Sequence, residues 1–131
     1  MQQKIFMEKY PIFELTLNKD EAQLTTAQEV IAYLKQQVEL HPIAKLIGEF
    51  DHLAHTQSIN GEIADGILAA QHLVFCFGTK LPNAQVMAVR PRSIGVTEFA
   101  DRLVITFMEP PMPVATEAMT KWVLSLKKDV Q

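Results

Sequence analysis

The stretch 26–42, TAQEVIAYLKQQVELHP, decides the fold because it is the most clearly bounded helix in the chain. Thr26 and Glu29 form a capping box, in which each side chain bonds a free amide of the first turn. Pro42 predicts the end of the helix, since the residue before a proline avoids helical dihedral angles. Between these signals, apolar residues recur at helical spacing: Ala27, Val30, Ile31, Leu34 and Val38. This apolar stripe needs an apolar surface to pack on.

The segments on either side of this helix carry strand patterns. Apolar and polar residues alternate in 12–17, which predicts a strand with one buried face. Lys45–Asp51 is predicted as a second strand. Residues 73–77 are apolar throughout and predict a central strand that is covered on both faces. Residues 96–99 and 103–108 predict two more strands joined by a short connection.

Three further stretches carry weaker or later signals. Asn83 predicts the cap of a brief helix that runs to Val89. Residues 58–71 are ambiguous, because Asn60-Gly61 favours a turn whereas the apolar spacing that follows it suits a short helix. A last amphipathic helix is predicted from the stripe of Ala115, Ala118, Met119, Trp122, Val123 and Leu126. The chain thus reads strand, long helix, four sheet segments, long helix.

This order favours an α+β fold over a doubly wound parallel sheet. Both long helices need an apolar sheet face, so we expect them on one side of the sheet, in a single domain over residues 1–131. The opposite sheet face would then be in contact with water, covered by loops, or buried in a homodimer. Hydrophobic residues make up 48% of the chain and charged residues 21%, the balance of a soluble globular protein.

Charge and composition exclude several classes of function. The net charge of −3 argues against a general nucleic-acid binder, and Arg90-Pro91-Arg92, the one basic run, is interpreted as a solvated loop. The single cysteine, Cys76, excludes an internal disulfide and is predicted to be buried and inert. Charged residues and Pro11 interrupt the apolar N-terminal stretch, and no apolar run reaches transmembrane length. We therefore expect a cytoplasmic protein without a membrane partner.

Residues 45–111 resemble a bacterial family known as domain of unknown function 302 (DUF302). The matching motifs are Phe50-Asp51-His52-Leu53-Ala54, the strand end Val74-Phe75-Cys76-Phe77-Gly78, a short helix over 84–89 and a last strand over 104–110. The resemblance implies the fold of one half of the TATA-box-binding protein, a two-layer β-α-β(4)-α domain with a curved, mostly antiparallel sheet. It also implies self-association, and it does not imply DNA binding.

The stretch 48–56, GEFDHLAHT, concentrates four ionisable side chains and is the candidate site. In a strand, Glu49, Asp51 and His55 would share one face and His52 the other. In a helix, Asp51 and His55 would be neighbours, and His52 would lie three residues from His55. The resemblance favours the strand. On that interpretation Glu49, Asp51 and His55 are candidate metal ligands, with a further ligand from His72, His41 or a second subunit, although a polar edge without metal is the simpler interpretation.

His52 is the first candidate for a catalytic acid or base, with its imidazole held by Asp51 or by another carboxylate. The candidate ligand-binding residues are His52, Phe50, Cys76 and Met108. No cofactor is firmly implied, and a divalent metal ion is one alternative. The preferred hypothesis is a non-enzymatic homodimer that binds a small ligand in a cleft between sheet and helix. The rivals are a metal-dependent or acid–base enzyme and a structural or regulatory interaction module. The proline-rich segment 108–113 would line a pocket mouth or subunit contact, or simply connect strand to helix.

Overall fold

A computed structural model describes residues 1–128 of the chain. It contains six strands and three α-helices. In chain order these are β1 (Gln2–Phe6), β2 (Tyr10–Asn18), α1 (Ala27–Leu40), β3 (Lys45–Asp51), α2 (His52–Ser58), β4 (Ala69–Cys76), β5 (Arg92–Glu98), β6 (Arg102–Met108) and α3 (Pro113–Leu124). Residues 129–131, the end of the predicted domain, lie outside the described residues.

The strands form one antiparallel sheet in the order β1-β2-β6-β5-β4-β3. The predicted α+β class with a mostly antiparallel sheet is confirmed. The register shifts once in the edge strand β3, between Leu46 and Gly48. Elsewhere the pairing is regular, so residues directly opposite each other share a face of the sheet.

The helices α1 and α3 cover one face of the sheet, as the sequence predicts, and we call it the covered face. Alternate strand residues project into the core beneath them, among them Leu73 and Phe75 of β4, Ile94 of β5 and Ile105 of β6, all fully buried. The residues between them, such as His72 and Val74, project from the opposite face, which neither long helix covers and which we call the open face. The prediction that 73–77 is covered on both faces is therefore wrong.

The start of α1 is fixed by two side chains. Thr26 is its N-cap and accepts a hydrogen bond from the Glu29 amide, which confirms the Thr26 half of the predicted capping box. The Glu29 carboxylate accepts from the Thr26 hydroxyl rather than from a backbone amide. Glu98, at the end of β5, accepts from the Ala27 amide and from the Lys19 ammonium, each at 2.9 Å. Burial raises the pKa of Glu98, but these two hydrogen bonds and the charge of Lys19 outweigh it and leave the pKa below its usual value. This carboxylate ties the first helix to the sheet.

Two elements differ from the sequence-based prediction. The strand β1 was not predicted, because its residues are exposed and carry no alternation of buried and exposed positions. The helix α2 begins at His52, where the strand interpretation of 48–56 continued a strand, and that interpretation is wrong beyond Asp51. Of the ambiguous region 58–71, Ser58 ends α2, residues 59–68 form neither helix nor strand, and residues 69–71 open β4.

Smaller boundaries also shift. The brief helix after Asn83 is a 3-10 helix, Gln85–Val89, and the Asn83 side chain accepts from the Val86 amide as predicted. The strand predicted over 96–99 starts earlier, at Arg92. Within residues 1–128, no helix has the length and apolar character needed to cross a membrane.

Candidate functional site

Three histidine rings lie side by side at the open face, and we call them the histidine cluster: His52, His55 and His72. His52 is central, with its ring centroid 5.9 Å from that of His55 and 5.6 Å from that of His72. The Phe50 ring contacts both His52 and His55, at 5.6 and 5.4 Å. Phe50 of β3 pairs directly with His72 of β4. Because α2 follows β3 directly, this strand pairing places His72 beside His52 and His55, from which it is distant in sequence.

The Asp51 carboxylate is hydrogen-bonded to the local backbone rather than to an imidazole. It is the N-cap of α2, and its Oδ1 accepts from the Ala54 amide at 2.9 Å. His52 instead has its Nδ1 3.3 Å from the hydroxyl of Thr56, one helical turn along. The predicted Asp51–His52 partnership is therefore wrong, because a strand-to-helix transition needs the Asp51 carboxylate for the free amides of the first turn.

The predicted metal ligands are separated by the same transition. Glu49 pairs with Leu73 and so projects toward the covered side of the edge strand, whereas His55 lies on α2, which packs at the open face. In residues 1–128 no group of three or more His, Cys, Asp or Glu side chains has a geometry that would hold a metal ion. The arrangement of Glu49, Asp51 and His55 as one polar row is thus wrong.

His72 is the most buried ring of the histidine cluster. Desolvation by burial, followed by the nearby charge of His52, lowers its pKa below the ordinary histidine value. Gly95 lies opposite it on β5, where a Cβ would come within 3.3 Å of the His72 Nε2. The neutral form of the His72 ring is therefore favoured where the ring packs against the backbone of β5 at Gly95.

The other predicted ligand-binding residues lie apart from one another. Cys76 is half-buried on the open face and its sulfur accepts from the Gly78 amide, so the prediction of a fully buried thiol is wrong. Met108, 47% exposed, ends β6. His52 belongs to the histidine cluster and Phe50 contacts it, at the other end of the sheet's open face from Cys76 along β4. The structure does not bring these four residues into one site.

A cavity of about 320 Å³ lies at the end of the covered face, where β4 ends and α3 begins. We call it the arginine cavity. Its walls are mostly apolar and come from the end of β4, the 3-10 helix, the start of β5, the segment after β6 and the first turn of α3. They include Phe77, Val86, Val89, Pro110, Met112 and Ala115, together with Arg90 and Arg92. The alternative that segment 108–113 lines a pocket mouth is confirmed.

Arg92 reaches into this cavity from the first position of β5. Its Nη1 donates to the carbonyl of Val89 at 3.2 Å and its Nη2 to the carbonyl of Met108 at 2.5 Å. Its Nε is buried and has no hydrogen-bond partner among the described residues. Burial lowers the pKa of this guanidinium, although a group of this kind stays charged at neutral pH.

Arg90 lies across the backbone at Gly78. A Cβ at Gly78 would lie 2.2 Å from the Arg90 guanidinium carbon, so glycine leaves the space that this side chain occupies. The Arg90 Nη1 donates to the carbonyl of Lys80 at 2.7 Å. The interpretation of Arg90 and Arg92 as a solvated loop is wrong for Arg92, which is half-buried in the sheet's covered end.

Residues 1–128 match a family of unknown function, DUF6858. The chain belongs to this family. Neither the curated proteins nor the solved structures gave a match. The resemblance to DUF302, and with it the likeness to the TATA-box-binding protein, is not tested by these comparisons and stays a prediction.

Sequence reasoning missed the arginine cavity of this DUF6858 domain because its lining comes from three stretches that are far apart in the chain, 77–78, 83–92 and 110–115. The one usable signal was Arg92 itself, the first residue of β5, which is in phase with the buried residues Ile94 and Val96. A charged residue that continues the buried phase of a strand must find polar partners at the edge of the core. The signal was therefore the position of Arg92 among the buried residues of β5, rather than the local clustering of charge.

Proposed function

We propose that this DUF6858 domain binds a small organic ligand in the arginine cavity. The observation that carries the proposal is a concave, mostly apolar cavity with a few polar groups directed into it, which is the usual form of a small-molecule site. At about 320 Å³ it lies at the lower end of the range for such sites, roughly 300–1,000 Å³. The cleft between sheet and helix expected from the sequence corresponds to this position.

The cavity is a better candidate than the other concave surfaces. The groove between α1 and α3, which includes Tyr33 and Trp122, has a larger volume of about 430 Å³ but is more open to solvent. It also carries both Glu117 and Lys121, so its charges offset one another. The pocket that contains Cys76 on the open face is more open still. Of these surfaces the arginine cavity is the most enclosed, and no acidic side chain of its lining offsets its two arginines.

The enzyme hypothesis has less support. Four pockets stand out in residues 1–128, and Asp51, His52 and His55 line none of them. A general acid or base needs to lie within hydrogen-bond reach of a bound substrate, and His52 is exposed on α2. Catalysis at His52 and metal binding stay predictions, as do self-association through the open face and a cytoplasmic location.

The proposal is tested by filling the cavity. Val86, half-buried in the 3-10 helix, lines it, whereas the adjacent Met87 is 63% exposed and lies outside it. We expect Val86→Trp to occupy the cavity and abolish binding of ligands found by NMR screening of small-metabolite mixtures. The matched control, Met87→Trp, adds the same side chain to the same helix and should leave binding intact.

Two outcomes would contradict the proposal. One is a screen in which no compound shifts the amide resonances of Phe77, Met112 or Ala115 at millimolar concentration. The other is a set of ligands that bind Val86→Trp as well as they bind the unaltered chain, since binding would then take place elsewhere.

A further inference from the structure

We infer that the ligand of the arginine cavity is a monocarboxylate with a compact apolar body, and that Arg92 binds its carboxylate. This inference rests on the proposed function and adds the chemical class of the ligand. Three observations carry it: the charge of the cavity, the backbone hydrogen bonds that orient the Arg92 guanidinium and the apolar character of the remaining walls. Each bears on a different property of the ligand.

The charge of the cavity is not balanced by the protein. Arg90 and Arg92 line it, and its lining contains no aspartate or glutamate. The ion pairs among residues 1–128 are Lys4–Glu14, Lys19–Glu98 and Arg102–Asp101, none of which includes either cavity arginine. A half-buried guanidinium without a carboxylate partner is costly, and an anion from outside would offset that cost. The ligand is therefore negatively charged.

The hydrogen bonds of Arg92 fix the place of that charge. Two of its nitrogens are held by the carbonyls of Val89 and Met108, so the guanidinium plane is oriented by backbone atoms on either side. Each of these two nitrogens keeps a second N–H, whereas the Nε–H is buried, has no partner among the described residues and is not exposed to the cavity. A guanidinium presents its donors in a planar fork that matches the two oxygens of a carboxylate. Arg92 is thus oriented to bind such a group before the ligand arrives.

The walls limit the rest of the ligand. Beyond the arginines, the sides that face the cavity are aromatic, aliphatic, proline and methionine side chains, with Asn83 and Gln85 as the only neutral polar side chains of the lining. A volume of about 320 Å³ corresponds to roughly ten water molecules at about 30 Å³ each, which is room for a small ligand only. A phosphate dianion is a poorer match, because it has no apolar surface to pack against these walls. A small aromatic or branched aliphatic acid fits both requirements.

The test compares matched probes on the full-length chain. Benzoate, benzamide and inorganic phosphate are titrated into ¹⁵N-labelled protein at pH 7 and low ionic strength, with amide shifts followed at Gly78, Met112 and Ala115. Benzamide has nearly the shape of benzoate without its charge. We expect benzoate to bind at least about tenfold more tightly than benzamide, because a charge-assisted hydrogen bond is much stronger than a neutral one. Inorganic phosphate should leave these amides unshifted.

A variant assigns the difference to Arg92. Arg92→Lys keeps the positive charge but removes the planar fork, and we expect it to lower benzoate affinity by about tenfold while benzamide affinity stays within about twofold. Arg102→Gln serves as the control, since it removes one positive charge from an arginine that lies over Phe99, outside the cavity. It should leave both affinities unchanged.

The outcomes separate the two proposals. If benzoate and benzamide bind the cavity equally, or Arg92→Lys folds and does not affect benzoate, the carboxylate assignment is wrong and ligand binding stands. If phosphate shifts the same amides as strongly as benzoate, the site recognises inorganic anions and the assignment is again wrong. If neither benzoate nor benzamide shifts any cavity amide, the cavity does not bind this class of ligand. The carboxylate inference then fails, whether or not the metabolite screen finds another ligand. The comparison of probes on the unaltered chain keeps the test valid even if Arg92→Lys does not fold.

Discussion

Charged side chains have different environments on the two faces of the sheet. On the covered face Arg92 is held between backbone carbonyls at the edge of a cavity, and Glu98 is held between an ammonium and a helix amide. On the open face His52 and His55 are exposed, and Asp51 at the start of α2 caps a short helix. The sequence concentrates charge near the open face, yet the covered face has the enclosed site. Burial, rather than local density of ionisable residues, separates a candidate site from a polar edge.

The largest difference in stability between the two faces is expected when neighbouring residues of β6 are truncated to alanine. Ile105 is fully buried on the covered face, whereas Val104 is half-buried on the open face. We expect Ile105→Ala to lower the free energy of unfolding by about 2–5 kcal/mol because it leaves a cavity in a packed core. Val104→Ala should cost under about 1.5 kcal/mol. Urea denaturation measures both, and equal losses would mean that the open face is covered in solution.

Two ion pairs provide a second comparison. Lys19–Glu98 lies on the covered side with side chains 23% and 13% exposed, and Lys4–Glu14 lies on the open face at 46% and 24%. Glu98→Ala leaves the Lys19 ammonium and the buried Ala27 amide without their carboxylate, so we expect a loss of about 2–3 kcal/mol. Glu14→Ala should cost at most about 1 kcal/mol. Thermal unfolding of both variants checks this order, which similar shifts in Tm would contradict.

The role of Asp51 is tested by two substitutions. Asp51→Ala removes the N-cap of α2 and should cost about 1 kcal/mol. Asp51→Asn removes the charge but keeps a side-chain oxygen that caps almost equally well, so stability should be nearly unchanged. Chemical denaturation gives the difference. A loss as large for Asn as for Ala would show that the negative charge itself is required, and would revive a role for Asp51 beside His52.

The pH dependence of stability gives the smallest expected effect. The pKa of His72 is lowered in the folded chain, so between the ordinary histidine value of about 6.5 and that lower value the unfolded chain binds more protons. Stability contributed by neutral His72 is therefore complete above that range and lost as the pH falls through it. We expect His72→Gln to flatten the dependence between pH 7 and 5 by under about 1 kcal/mol.

Denaturant midpoints at several pH values measure this slope. Ser93→Ala is the control, because Ser93 lies on the same face of β5 as Gly95, the residue opposite His72, and does not titrate. A slope in His72→Gln as steep as that of the unaltered chain would assign the pH dependence to other groups. It would also mean that His72, on the open face, does not make the stability of the chain depend on pH.

The candidate sites were predictable to different degrees. The proximity of His52 and His55 follows from one helical turn, yet the resemblance to DUF302 favoured a strand there. Nothing local indicates that His72 joins them, since β3 and α2 lie before a long irregular connection to β4. Arg92 was visible as part of a basic run, but the two distant stretches that complete its surroundings, 77–78 and 110–115, were not. A site assembled from distant segments leaves no spacing rule in the sequence.

The sequence by itself determined the α+β class, the bounds of α1 and the placement of both long helices on one face. The reason is that capping residues, prolines and apolar periodicity act over a few residues and leave a local pattern. The tertiary structure decided that β1 extends the sheet, that Asp51 ends a strand and caps α2, and that Arg92 borders a cavity. These outcomes depend on strand pairing and burial across the whole chain, which no short stretch of residues encodes.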